Sequence, residues 1–117
     1  MPIRIINHKG NDVIFADYSE YKTLEEQISF LREAEAFILS KGDDLLVLSD
    51  FSNVRGNAEL MSEMKRAGKE IEHKVKKSAT IGITGLKKVF LSGYNLVVKD
   101  KVMAFNTQEQ ALDYLIE

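Results

Sequence analysis

Leu45-Leu46-Val47-Leu48-Ser49-Asp50 is the stretch that decides how this chain folds. Four apolar residues in unbroken succession are too few for a helix. Gly42-Asp43-Asp44 before them and Ser49-Asp50 after them bound the run with turn-forming residues. A strand with no polar alternation has no side to turn toward water. The tetrad therefore predicts a strand covered on both faces, in the middle of a β-layer with helices packed on it.

The flanks agree. Upstream, Thr23-Leu24-Glu25-Glu26 is a capping box, and Leu24, Ile28, Leu31, Ala34 or Glu35, and Ile38 follow at helical spacing. Gly42 supplies the stop, so a first helix is predicted over residues 24–41. Before it, residues 3–7 and 13–18 are β-prone runs joined by Lys9-Gly10-Asn11-Asp12, which reads as a hairpin. Downstream, a polar loop leads to Asn57, a good N-cap. A second helix then carries Leu60, Met64, Ala67 or Gly68, Ile71 and Val75 on one face, and Lys74, Lys76 and Lys77 close it. Residues 79–84 read as a strand with Gly82 inside it. Gly85 opens a third helix through about Leu96, with Leu86, Val89, Phe90 and Tyr94 inward. A strand over residues 101–105 and a short helix capped by Thr107-Gln108-Glu109-Gln110 end the chain, the helix turning Ala111, Leu112, Leu115 and Ile116 inward. The order ββαβαβαβα predicts an α/β fold: one domain with a mixed sheet, opened by an N-terminal hairpin and largely parallel beyond it.

Composition bounds what such a domain does. The 117 residues hold 44% hydrophobic and 29% charged residues with a net charge of −2, the profile of a folded single domain without general affinity for nucleic acid. Cysteine is absent, which excludes disulfides, thiol catalysis and thiolate metal sites. No signal segment and no apolar run of spanning length occurs, so a cytoplasmic protein without integral membrane association is expected. Charge is uneven along the chain. Residues 65–101 hold ten basic and three acidic residues, while the remainder holds six basic and fifteen acidic. A basic face of this kind suits an acidic partner, a phosphate or an anionic headgroup, and two opposite faces suit a homodimer.

Motifs for chemistry are sparse. His8 and His73 are the only imidazoles and lack metal-ligand spacing, so no metal site is expected. No nucleophile elbow or phosphate-binding glycine loop is present, and no catalytic residue is assigned. Gly82-Ile83-Thr84-Gly85 matches the GxxG of a KH loop, but that loop joins two helices, whereas Gly82 falls in an expected strand. Two loops remain. Thr84 and Gly85 start a helix at the carboxyl end of a strand, where free amides with Lys87 or Lys88 suit an anion; an ordinary turn with solvated lysines is the plain alternative. Ser52, Asn53, Arg55, Gly56 and Asn57 occupy the carboxyl end of the central strand, where ligands of α/β sheets gather, although Arg55 paired with Asp50 would simply fix the loop.

The element order, with an apolar strand ending in Asp50 followed by a polar loop and a long helix, resembles the STAS superfamily. It is closer to the SpoIIAA-like branch, related in fold to CRAL-TRIO lipid-transfer domains. Ala79-Thr80-Ile81-Gly82-Ile83-Thr84-Gly85-Leu86-Lys87-Lys88, Tyr94-Asn95, and Phe105 followed by Glu109-Gln110-Ala111-Leu112-Asp113-Tyr114-Leu115 carry most of the resemblance. It implies a non-enzymatic binding or regulatory module. In anti-sigma-factor antagonists of the superfamily, a Ser or Thr at the start of the second helix is phosphorylated by a partner kinase. This chain departs there: Gly56, Asn57, Ala58 and Glu59 offer no hydroxyl, and the nearest, Ser52, stands by the strand end. The resemblance therefore does not supply a phosphorylation site.

Two functions follow as expectations. The first is contact with another protein or a second copy of the chain, through Ser52, Asn53, Arg55, Gly56 and Asn57 and through Met61 and Lys65 on the second helix. The second is carriage or sensing of a small apolar or anionic, lipid-like ligand. It requires a pocket under the third helix, near Phe90 and Tyr94, with Lys87 or Lys88 at its mouth. No cofactor is expected in either case.

Overall fold

The chain is described by a computed structural model over residues 3–99 and 101–117; Pro2, the only proline, and Asp100 lie outside these residues. The strands are β1 (Ile3–His8), β2 (Asn11–Asp17), β3 (Leu45–Asp50), β4 (Val75–Ile81) and β5 (Val102–Phe105). They form one sheet in the order β1-β2-β3-β4-β5, antiparallel between β1 and β2 and parallel from β2 onward. The apolar tetrad is thus in the central strand. Val47 is 6% exposed on one face and Leu48 is 0% exposed on the other, each inside a different hydrophobic cluster.

The helices are α1 (Leu24–Leu39), α2 (Ala58–Ile71), α3 (Leu86–Asn95) and α4 (Gln108–Leu115). α1 packs on α2 and α2 on α3 along one face of the sheet, as expected when successive parallel strands are joined by crossovers of one hand; α4 covers the other face. Under α1 and α2 lie Ile14, Ala16, Tyr18 and Val47. Under α4 lie Val13, Phe15, Leu48, Ala79 and Ile81, closed by Ala111, Leu112 and Leu115. α1 begins with the full capping box: the Glu26 amide donates to Thr23 Oγ1 (3.1 Å) and the Thr23 amide to Glu26 Oε1 (3.2 Å).

Several details depart from the sequence expectation. β4 stops at Ile81, so Gly82 lies outside the strand expected over residues 79–84. The hairpin turn is only Lys9-Gly10, both with positive φ (51° and 87°), because Asn11 and Asp12 pair with His8 and Asn7. The second helix stops at Ile71, and Val75 to Lys77 belong to β4. Their spacing is helical, but the Leu45 amide donates to the Lys74 carbonyl (2.9 Å) and Val75 pairs with Leu45, so the ladder to the central strand overrides it. Lys76 is skipped in the register, a β-bulge. Finally, Leu86 and Val89 of α3 face outward, 60% and 65% exposed, while Phe90, Leu91 and Tyr94 turn toward the sheet with the stem of Lys87. These four recur at i, i+3, i+4 and i+7. Lys87 is drawn inward because its amine donates to the Phe51 carbonyl (2.9 Å) while its methylenes cover apolar surface.

Candidate functional site

A cavity of about 140 Å³ lies between the sheet and the layer of α1, α2 and α3. It exists because the residues around it are small or sparsely packed. Ala34 comes from α1, and Ala67 and Gly68 from α2. Ser49, Ser78 and Thr80 form much of the floor; the pairings Val47↔Ser78 and Ser49↔Thr80 put all of them on the same face as Val47. α3 roofs it without a single buried residue of its own. Leu31, Ile38, Leu60 and Met64 make the walls apolar.

Polar groups enter at few points. Tyr18 is 4% exposed, stacked on Phe51 (4.6 Å between centroids) and edge-on to Phe30 (4.8 Å). Its hydroxyl has no hydrogen-bond partner among the described residues, yet it is not sealed within protein atoms: it borders the cavity. Burial pushes its ionisation well above the ordinary tyrosine range, and Tyr94 and Glu35 add to the shift. Tyr94 is likewise pushed up to about 12 by burial, with Glu72 contributing. The Tyr94 hydroxyl rests directly on Gly68, where a Cβ would overlap it. Glu35 is held by both guanidinium nitrogens of Arg66 (2.9 and 3.2 Å), part of a chain of ion pairs running Arg66–Glu63–Arg32 across α1 and α2. Burial lowers the Lys87 pKa, opposed by nearby Asp50.

The structure brings seven of the residues singled out from sequence to this cavity: Arg55, Gly56, Asn57, Met61, Lys87, Phe90 and Tyr94. Gly56 is needed for closeness, since a Cβ there would stand 2.9 Å from the Phe90 ring. Asn57 caps α2 by accepting from the amides of Glu59 (2.8 Å) and Leu60 (3.1 Å). Met61 borders the cavity from α2. The others stand apart. The Ser52 amide donates to Asp50 Oδ1 (2.8 Å), and the Ser52 backbone fills the space beside Gly82, whose φ is +80°. It is Ser52, therefore, and not Arg55, that binds Asp50. Asn53 holds the left-handed position of the turn (φ 66°) and is exposed. The Lys65 amine lies over Gly93. Thr84, Gly85 and Lys88 are exposed at the amino end of α3.

Tyr18, Glu35, Ser49, Ser78 and Thr80 complete the cavity, and none was marked as functional by any motif. A signal existed in the two-residue spacing of Val47 and Ser49 and of Ser78 and Thr80, but the sequence reads Ser49 as closing the central strand and leaves Ser78 before the strand expected over residues 79–84. Among the described residues no group of three or more His, Asp or Glu converges as a metal site, and no helix is long and apolar enough to cross a membrane. Compared with protein families, with curated proteins and with solved structures, the chain matches no family model, no relative and no fold neighbour.

Proposed function

We propose that this chain is a non-catalytic binding domain of STAS-like architecture that holds a small, largely apolar molecule between its sheet and helices, with α3 as the cover. The observation that carries the reading is the apolar-walled cavity of about 140 Å³ between the sheet and the layer of α1, α2 and α3. Native interiors leave few voids larger than a water molecule, and an apolar cavity of roughly 150 Å³ suffices to take up benzene. One aromatic ring or a short alkyl chain therefore fits. The opposite face of the sheet supports the reading by contrast, being filled by Ala111, Leu112 and Leu115. Toluene titrated into labelled protein tests it. Saturable shifts in the methyl signals of Leu31, Leu60 and Met64 are expected, with no change at Leu112 and Leu115. Shifts spread evenly over both faces, or none, would reject the cavity as a binding site.

A protein partner is the second reading. What favours it is the outer side of α3 and the turn after it, where Leu86, Val89 and Leu96 are 60%, 65% and 86% exposed. If this is the contact, Leu86→Ser with Val89→Ser abolishes self-association or partner capture. Arg55→Glu with Lys65→Glu would do so only if the contact extends to the α2 side. Unchanged association of both double variants removes the reading.

A further inference from the structure

We infer that the ligand is a small neutral phenol or alcohol whose hydroxyl seats against those of Tyr18 and Tyr94. This rests on the cavity being a binding site and goes on to say what the site selects.

The polar end of the cavity is built from two tyrosine hydroxyls that take no partner among the described residues. Tyr18 is almost wholly enclosed, and its hydroxyl finds no partner among the described residues. Buried hydroxyls ordinarily pair within the protein; this one is instead open to whatever occupies the cavity. Tyr94 lines the same cavity and brings a second hydroxyl on α3, placed by its contact with Gly68. A phenolic hydroxyl both donates and accepts. A ligand hydroxyl is the group that matches this, since it can accept from one tyrosine while donating to the other.

Charge is selected against. Both tyrosines hold their neutral form more firmly than usual, because the enclosure disfavours ions. Glu35 adds negative potential beside Tyr18, so a carboxylate ligand would meet repulsion. A cationic ligand gains little from Glu35, whose two oxygens already accept from Arg66. Of the two cations among the described residues that line the cavity, Lys87 donates to the Phe51 carbonyl and Arg55 is exposed to water, so neither stands as a buried partner for an anion. The rest of the lining, Leu31, Val47, Leu60 and Met64 among it, asks only for an apolar body.

The test compares phenol, toluene and benzoate as probes on the wild type, Tyr18→Phe and Tyr94→Phe. Phenol should lose about fivefold to tenfold in affinity in Tyr18→Phe while toluene changes by less than about twofold, the signature of one lost hydrogen bond. Tyr94→Phe should behave alike, and it keeps the test open if Tyr18→Phe does not fold. Benzoate should bind more weakly than phenol to the wild type. Toluene binding together with phenol that is indifferent to both substitutions, or benzoate that equals phenol, overturns the inference and leaves the cavity reading standing. If neither toluene nor phenol binds, both fall.

Discussion

Gly68 and Tyr94 show how far a single atom matters here. A Cβ at position 68 would overlap the Tyr94 hydroxyl and lie 2.8 Å from Cζ. Gly to Ala in a free helix interior gains roughly 1 kcal/mol. In this place overpacking should win, and Gly68→Ala is expected to destabilise by about 1–3 kcal/mol in denaturant unfolding. With Tyr94→Ala already in place the sign should reverse, because the obstacle is gone while the helix preference remains. The same side chain reports on pH. The folded pKa of Tyr94 is raised to about 12, above the ordinary value near 10. The unfolded chain therefore releases this proton first. Stability linked to Tyr94 is complete below about pH 10 and is lost as pH rises toward 12. Tyr18 is shifted the same way by its burial. Phenolate absorbance should accordingly show these two tyrosines ionising only as the protein unfolds in alkali; an early, reversible titration of all four tyrosines would contradict their enclosure.

Elements differ in how legible they are. The central strand was plain, since four apolar residues without alternation admit little else, and three capped helix starts could be read from Thr23, Asn57 and Thr107. The end of α2 was hidden. Val75 continues the stripe of Ile71 at helical spacing, and only the pairing with Leu45, thirty positions away in sequence, turns it into a strand. The inward face of α3 was half legible for a different reason: Phe90 and Tyr94 turn inward as expected, but Leu86 and Val89 do not. A lysine reads as solvated, so Lys87 was left off that face although its bond to the Phe51 carbonyl places it there. The pocket expected under Phe90 and Tyr94 was thus legible, but its floor was not, because Ser and Thr on a core strand look like ordinary sheet residues. α3 itself, with no buried residue, should open at lower free energy than α1. Amide exchange is expected to be fastest there among the helices of this face, and to slow in α3 when toluene is bound. On the far face, the hairpin is fastened to α4: His8 Nε2 donates to Asp113 Oδ1 (2.8 Å) and Lys9 Nζ to the same oxygen (3.2 Å). The bond from His8 first, and that from Lys9 next, hold the Asp113 carboxyl below its usual range. A depressed carboxylate contributes stability above its unfolded pKa, near 4, and loses it as pH falls through the folded value. Asp113→Asn should therefore flatten the acid limb of the stability curve while changing its alkaline limb little.

At the scale of the molecule, one sheet separates a filled side from a hollow one. Filling matters energetically, because the residues lining an unfilled space forgo packing contacts on that side. Such a space persists when activity depends on it, and the trade should be visible in one substitution. Ser78 is the place to make it. It lies on the cavity floor opposite Val47 in the ladder, and its hydroxyl has no partner among the described residues. Valine suits a central strand, and its added methyl would project into the void. Ser78→Val is expected to stabilise the protein by about 1 kcal/mol and raise Tm by roughly 4 °C. Toluene binding should weaken at least about tenfold, the equivalent of some 1.4 kcal/mol of lost affinity. Leu48→Ala, which hollows the sealed side at a residue with no exposure, should instead cost about 2–5 kcal/mol and leave toluene affinity nearly unchanged. A more stable Ser78→Val protein that still binds toluene would mean that the ligand sits elsewhere. A less stable one would mean that the floor has no room to fill.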